Sequence, residues 1–331
     1  MPTNTRVIAV VGATGAQGGG LARALLKQAN DGFRVRALTR DPSSDRATAL
    51  RELGADVVAA DLDDRASLKR AFAGAYGAYC VTNFWEHFSP EKEIAQAGNM
   101  AEAAFYADIE HVIWSTLEDT RLDVPLEDPR MPTLLGRYKV PHFDGKGEAN
   151  KEFTEREVPT TFLLTSFYWD NLLNFGMQPQ RNASGDLVFT LPMADKPLPG
   201  IAASDIGKCA AGIFRAGGTY RGRTVGIAGE HPTGAEMAAT LGEALGEPVR
   251  YAAISPGDFR ALGIPGADDL GNMFQYKAEF NEHFCAARDP AVARALNSEL
   301  LSFRAWLAQN KARLPVDPAH KQGDQAPPRN A

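Results

Sequence analysis

Residues 12–20 read Gly-Ala-Thr-Gly-Ala-Gln-Gly-Gly-Gly, five glycines in nine positions. Each glycine costs about 0.5–1 kcal/mol relative to alanine in regular structure, so the run must serve something that needs bare backbone. Before it, Val7 to Val11 form a continuous apolar run, the pattern of a strand buried on both faces of a parallel sheet. After it, Leu21, Ala22, Ala24, Leu25 and Leu26 fall at helical spacing. A glycine-rich turn from buried strand to helix lets a pyrophosphate approach the backbone, attracted by free N–H groups and the helix dipole. Gly12, Gly15 and Gly18 give the spacing G-x-x-G-x-x-G, which in this setting reads as a nucleotide cradle. A second chemical signal follows the next apolar segment, Phe33 to Thr39. An acid at the end of that strand would bind the ribose 2′-hydroxyl of NAD, whereas an arginine favours the 2′-phosphate of NADP. Here the position is Arg40, with Asp41 after it, so NADP(H) is the expected cofactor. Asp61, at the end of the third apolar segment, is placed to meet the adenine edge.

The elements that must position these groups alternate. Strands are expected at 7–11, 33–39, 56–61, 78–82, 111–116 and 160–164. Helices are expected between them, including 65–72, 91–106 and 147–156. This is the pattern of an α/β protein, a doubly wound parallel sheet with right-handed crossovers. The stretch 117–141, with four prolines, is expected to be a loop. Further strands are expected at 187–189, 224–227 and 249–251, with helices opening at Ser204 and spanning Ala235 to Leu245. The expected organisation is a Rossmann-type domain over 1–165, with the chain returning to its sheet near 200–228. A smaller, interleaved C-terminal α/β region spans 166–314, and a disordered tail 315–331.

With 331 residues the chain can bury a large core. A net charge of −6 argues against a broad basic surface for nucleic acid. The three cysteines, Cys80, Cys209 and Cys285, are odd in number and lack a C-x-x-C pair, so they are expected as reduced thiols. No apolar run reaches the roughly 18 residues of a membrane span, and the N-terminus lacks an apolar signal core, so a cytoplasmic protein without membrane contact is expected. The six histidines are scattered without H-x-x-x-H or H-E-x-x-H, so no metal site is expected.

The segments GATGAQGG, LTRD, VTNFWE, HFDGKGE, FYWDNLL, ASDIG and GIPGADDLGNMFQY together resemble the NmrA-like family of atypical short-chain dehydrogenases, in particular its NADP(H)-sensing branch. The resemblance covers about residues 5–314. It implies a Rossmann domain with a smaller C-terminal domain and NADP(H) across the strand ends. Gly12, Thr14, Gly15, Ala16, Gln17 and Gly18 would hold the pyrophosphate, and Arg40 the 2′-phosphate. Asp61 and Leu62 would flank the adenine, and Thr82, Asn83 and Phe84 the middle of the cofactor. Lys146 with Tyr168, Trp169, Asp170 and Asn171 would lie by the nicotinamide. Ala95 stands where such sensors can carry a lysine, which removes one contact.

Catalytic short-chain dehydrogenases use Tyr-x-x-x-Lys, the lysine lowering the pKa of a tyrosine that protonates the carbonyl oxygen. Here the spacing reads His142-Phe143-Asp144-Gly145-Lys146, with histidine in place of tyrosine. Glycines on both sides of Lys146 argue against one helix through the pair. An ammonium beside the imidazole would disfavour its protonated form. Tyr138, if its loop folds back, is an alternative proton donor, and Ser115 and Thr116 are candidate carbonyl ligands. Two aromatic groups, one at Phe84, Trp85, His87 and Phe88 and one at Phe167 to Trp169, read either as a substrate pocket or as packing between domains. Two functions remain open. The expected one is an NADP(H) sensor that signals to a regulatory protein partner, in a chain that could also form a homodimer. The alternative is an NADPH-dependent reductase of a small carbonyl, quinone or enone.

Overall fold

The computed structural model describes residues 5–28 and 31–316. The expected tail, beyond its first two residues, lies outside the described residues. Twelve strands are described: β1 (Arg6–Val10), β2 (Phe33–Thr39), β3 (Asp56–Ala59), β4 (Gly77–Cys80), β5 (His111–Thr116), β6 (Thr160–Leu164), β7 (Phe167–Tyr168), β8 (Gln180–Arg181), β9 (Leu187–Leu191), β10 (Gly200–Ile201), β11 (Thr224–Gly226) and β12 (Val249–Ala253). The α-helices of the first half are α1 (Ala16–Lys27), α2 (Asp45–Glu52), α3 (Arg65–Phe72), α4 (Pro90–Tyr106), α5 (Pro141–Glu148), α6 (Asn150–Thr154) and α7 (Asn171–Asn174). Those of the second half are α8 (Ala203–Arg215), α9 (Gly234–Leu245), α10 (Pro256–Arg260), α11 (Ala267–Glu279), α12 (Asn281–Ala286), α13 (Pro290–Leu296) and α14 (Phe303–Asn310).

Seven strands form one parallel sheet in the order β11-β6-β5-β4-β1-β2-β3. Burial on both faces follows from the sequence: β4 and β5 are buried at every position, as continuous apolar runs require. After β1 the chain winds outward through α1 to β2 and β3, then returns to the other side of β1 for β4. Crossovers therefore diverge at the carboxyl ends of β1 and β4, which opens a crevice there. One face of the sheet is covered by a core containing Leu21, Leu25, Ile206 and Phe214, from α1 and α8. The other is covered by Leu68, Phe72, Met100 and Phe153, from α3, α4 and α6. A third core, with Phe143, Phe189, Met237, Phe274 and Trp306, binds the remaining helices to the small sheet β12-β9-β8. Cys80 and Cys209 are buried, Cys285 is partly exposed, and all three are free. Among the described residues, no helix is long and apolar enough to cross a membrane.

Sequence expectations and structure differ over α5 and over residues 256–313. The helix expected over 147–156 begins at Pro141 and is interrupted near Ala149, giving α5 and α6. His142 and Lys146 therefore do share one helix, despite the glycines. Gly145 and Gly147 serve close approach rather than helix ending: a Cβ at Gly147 would lie 2.5 Å from the Asp119 amide nitrogen. The stretch 117–140 is irregular but tied down. Asp144 accepts hydrogen bonds from Thr120 N, Thr120 Oγ1, Lys139 N and Val140 N at 2.6–3.0 Å. Residues 256–313, to which the sequence reading gave no elements, carry five α-helices, two of them, α10 and α13, with proline at the first turn.

Candidate functional site: a cleft at the strand ends

A cleft of about 1450 Å³ opens at the carboxyl ends of the strands, larger than the roughly 300–1,000 Å³ of ordinary ligand pockets. One wall is polar and built from strand ends. Gly12, Thr14, Gly15, Ala16, Gln17 and Gly18 line it, followed by Arg40, Asp61, Leu62, Thr82, Asn83 and Phe84. His142, Lys146, Tyr168, Asp170 and Asn171 continue the lining. The facing wall comes from the second half of the chain and is mostly apolar: Val188, Ile254, Phe259, Ile264, Leu270 and Met273.

The glycine loop has a fixed shape. Gly12 sits at φ +62°, in the left-handed region, and Gly15 caps α1 with no side chain over the first turn. The N–H groups of Ala16, Gln17 and Gly18 have no helical acceptor by geometry and face the cleft, as an anion would require. A Cβ on Gly18 would lie 2.5 Å from both Val11 O and Gly12 O. Gly18→Ala is therefore expected to destabilise the fold by about 1–3 kcal/mol and to weaken nucleotide binding. Chemical denaturation and calorimetric titration check this, and an unchanged midpoint would show that the loop has room to relax. Gln17 is anchored from three strands. It donates to Tyr168 Oη and accepts from Tyr79 Oη and from Ser115 Oγ, the last at 2.9 Å.

Lys146 and His142 project to the cleft from α5, but each is held by a different acid. Lys146 Nζ donates to Thr82 Oγ1 at 2.6 Å and Glu93 Oε2 at 2.8 Å. His142 Nδ1 lies 2.5 Å from Asp269 Oδ1, and the Asp269 carboxylate also accepts from His142 N at 3.1 Å. The charged neighbour of the imidazole is thus a carboxylate, not the expected ammonium. Its Nε2 has no hydrogen-bond partner among the described residues. Phe84, Trp85 and Phe143 pack around the ring with centroids 4.8–5.9 Å away.

Other expected residues are placed differently. Trp169 is fully buried and absent from the cleft; its indole packs against Phe303 and Trp306 because successive residues of an extended segment face opposite ways. Asp170 lines the cleft, yet its carboxylate accepts from Ala203 N at 2.9 Å, at the start of α8. Tyr138 does not reach the cleft: its hydroxyl donates to Glu91 at 2.8 Å, and burial with that bond pushes the phenol up. Thr116 is spent on Asn150 and the Lys146 carbonyl. Arg40 ion-pairs with Glu86 across the cleft edge. Of the aromatic groups, Phe84, Trp85, His87, Phe88, Phe167 and Tyr168 all line the cleft. Sequence reasoning missed Asp269 and Lys277, although Asp269, Met273 and Lys277 recur at one-turn spacing on α11. Among the described residues, no group of three or more metal-ligating side chains occurs.

Sheet order, glycine loop and strand-end cleft define a Rossmann-type α/β fold. The chain belongs to the NmrA-like family, whose model matches residues 4–307. It is 29% identical over 297 residues to an NmrA-like family domain-containing oxidoreductase of Aspergillus hancockii, covering 83% of each chain. Its fold is similar to that of NmrA, a negative transcriptional regulator, in complex with NADP: TM-score 0.75 at 22% identity, over 94% of this chain and 98% of that one. It is also similar to triphenylmethane reductase of Citrobacter sp., complexed with NADP(H): TM-score 0.71 at 20% identity, over 91% and 99%.

Proposed function

We propose that this protein is an NADPH-dependent reductase of a small, largely apolar carbonyl, quinone or enone. The observation that carries this reading is the apolar wall facing His142, whose Nε2 is unpartnered and whose Nδ1 is backed by Asp269. A pure nucleotide sensor needs no second wall of this kind. The oxidoreductase relative and the NADP-bound structures of similar fold support it. The open N–H groups of α1, Arg40, Asp61 and Lys146 suit a dinucleotide phosphate lying along the strand ends. Bound NADPH would supply the hydride.

The chain supplies the rest. The apolar wall desolvates the acceptor, which strengthens every electrostatic contact made to it. Asp269 fixes the ring of His142 and interacts favourably with the charge it carries when both nitrogens hold protons, as the acid of a catalytic triad does. His142 Nε2–H then donates to the acceptor oxygen as negative charge develops there. Lys146, one turn along the same helix, would bind the ribose hydroxyls.

NADPH consumption against a panel of quinones, enones and aryl aldehydes tests this function. Turnover of at least one class well above the protein-free rate is the expected result; none across the panel, with NADPH bound, would return the sensor reading. For the cofactor, Arg40→Ala is expected to cut the preference for NADPH over NADH by at least about tenfold while leaving NADH affinity little changed. The Glu86 carboxylate competes for the same guanidinium, so Glu86→Gln is expected to tighten NADPH binding. Calorimetric titration of both cofactors reads both effects, and equal constants in the parent would remove Arg40 from the site.

A further inference from the structure

Lys277, on α11, is 3% exposed and lines the cleft. Nothing in the proposed reductase chemistry uses it. Its Nζ lies 5.5–5.9 Å from the ring centres of Phe143, Phe167, Phe274 and Phe284, near the roughly 6 Å limit at which a ring stabilises a cation. Its Nζ donates to Met273 Sδ at 3.3 Å, a weak acceptor. No carboxylate forms an ion pair with it among the described residues.

The ionisable groups facing it are Glu118, after β5, and Arg288, after α12. These two are spent on each other: Arg288 Nη1 and Nη2 donate to the Glu118 carboxylate at 2.5 and 2.9 Å. α5, β7 and α12 turn Phe143, Phe167 and Phe284 toward Nζ, and α11 adds Phe274 and Met273. An ammonium here is therefore desolvated and faces a guanidinium. Burial first, then Arg288, hold the amine far below the ordinary lysine range, at about 7, with Glu118 opposing. A desolvated amine beside another cation is an environment that activates lysine as a nucleophile.

We propose that Lys277 captures a small apolar aldehyde or ketone in the cleft as an imine. The Nζ lone pair adds to the carbonyl carbon, and a proton passes from nitrogen to the former carbonyl oxygen. The resulting carbinolamine loses water to form the C=N bond. Hydrolysis reverses each step and restores the amine. No oxidant or reductant is needed, so the capture stands independently of the reductase reading.

The test uses the full chain with benzaldehyde and sodium cyanoborohydride, without nucleotide, and maps the adduct by peptide mass spectrometry. With the amine near 7, its free fraction at neutral pH should exceed that of an exposed lysine by about a thousandfold. Labelling is therefore expected at Lys277 well before any surface lysine. The labelling rate should rise with pH to a plateau with its midpoint near 7. Lys277→Met should abolish this adduct while NADPH affinity, measured separately, shows that the variant is folded. Label spread over surface lysines without preference, or a midpoint near the ordinary value of 10.5, overturns the proposal. If Lys277→Met does not fold, the wild-type map and pH profile decide it alone.

Discussion

Asp269→Asn is expected to lower turnover of an accepted quinone or enone by about 10²–10⁴-fold, with NADPH affinity unchanged. The carboxylate does two things that an amide cannot do together. It accepts from Nδ1 and from the His142 backbone amide, which fixes the ring, and it carries the negative charge that complements a doubly protonated imidazole. Asparagine keeps the volume but removes the charge. His142→Ala should show a loss of similar size, and the double variant should be no worse than either single one, because the two act as one unit. Additive losses would mean that Asp269 acts by some route other than through the imidazole. Full activity in His142→Ala would remove the proton-donor role altogether. His142→Tyr places a phenol one helical turn before Lys146, the arrangement of the short-chain dehydrogenases, and should retain part of the rate.

The second large effect concerns stability. Lys146→Met should destabilise the fold by about 3–5 kcal/mol, because it strands Glu93. That carboxylate is fully buried, and its hydrogen-bond partners are Lys146 Nζ and the Thr82 hydroxyl, at 2.8 and 2.5 Å. Removing the ammonium leaves a buried charge without its counter-ion, the costly half of breaking such a pair. Lys146→Met combined with Glu93→Gln should recover most of the lost stability, since the amide brings no charge to bury. NADPH affinity should stay weakened in both variants, because the group proposed to meet the ribose is missing from each. Urea denaturation and cofactor titration of the two variants separate these roles. A double variant no more stable than the single one would show that the pair is not what holds α5 against α4.

Much of this was legible in the chain before it was folded. Buried strands such as β1, β4 and β5 write largely apolar runs, and β2, β3 and β6 carry β-branched residues, so β1 to β6 could be read from local sequence. The glycine loop could be read because Gly12 and Gly18 answer local demands, a positive φ and a backbone approach. Sixteen of the seventeen cofactor contacts expected from the family resemblance line the cleft; Trp169 does not. Most helices of the last third, α10, α12, α13 and α14, run only five to eight residues, too few for a period to emerge over background.

The sequence by itself determined the sheet, the glycine loop and the residue that stands where a catalytic tyrosine would. Those features depend on neighbours within one strand or one turn, where spacing is informative. Tertiary structure alone decided which charge each residue meets. His142 and Lys146 are one turn apart, yet one is bound by Asp269, 127 positions away, and the other by Glu93, 53 positions away. It also decided that glycines could sit inside α5, since what they accommodate is the backbone of a distant segment. The same holds for Lys277, an ordinary lysine in sequence whose environment exists only once four aromatic rings and Arg288 close around it. Electrostatic character depends on distance through space and on exclusion of water, and neither is written in local order.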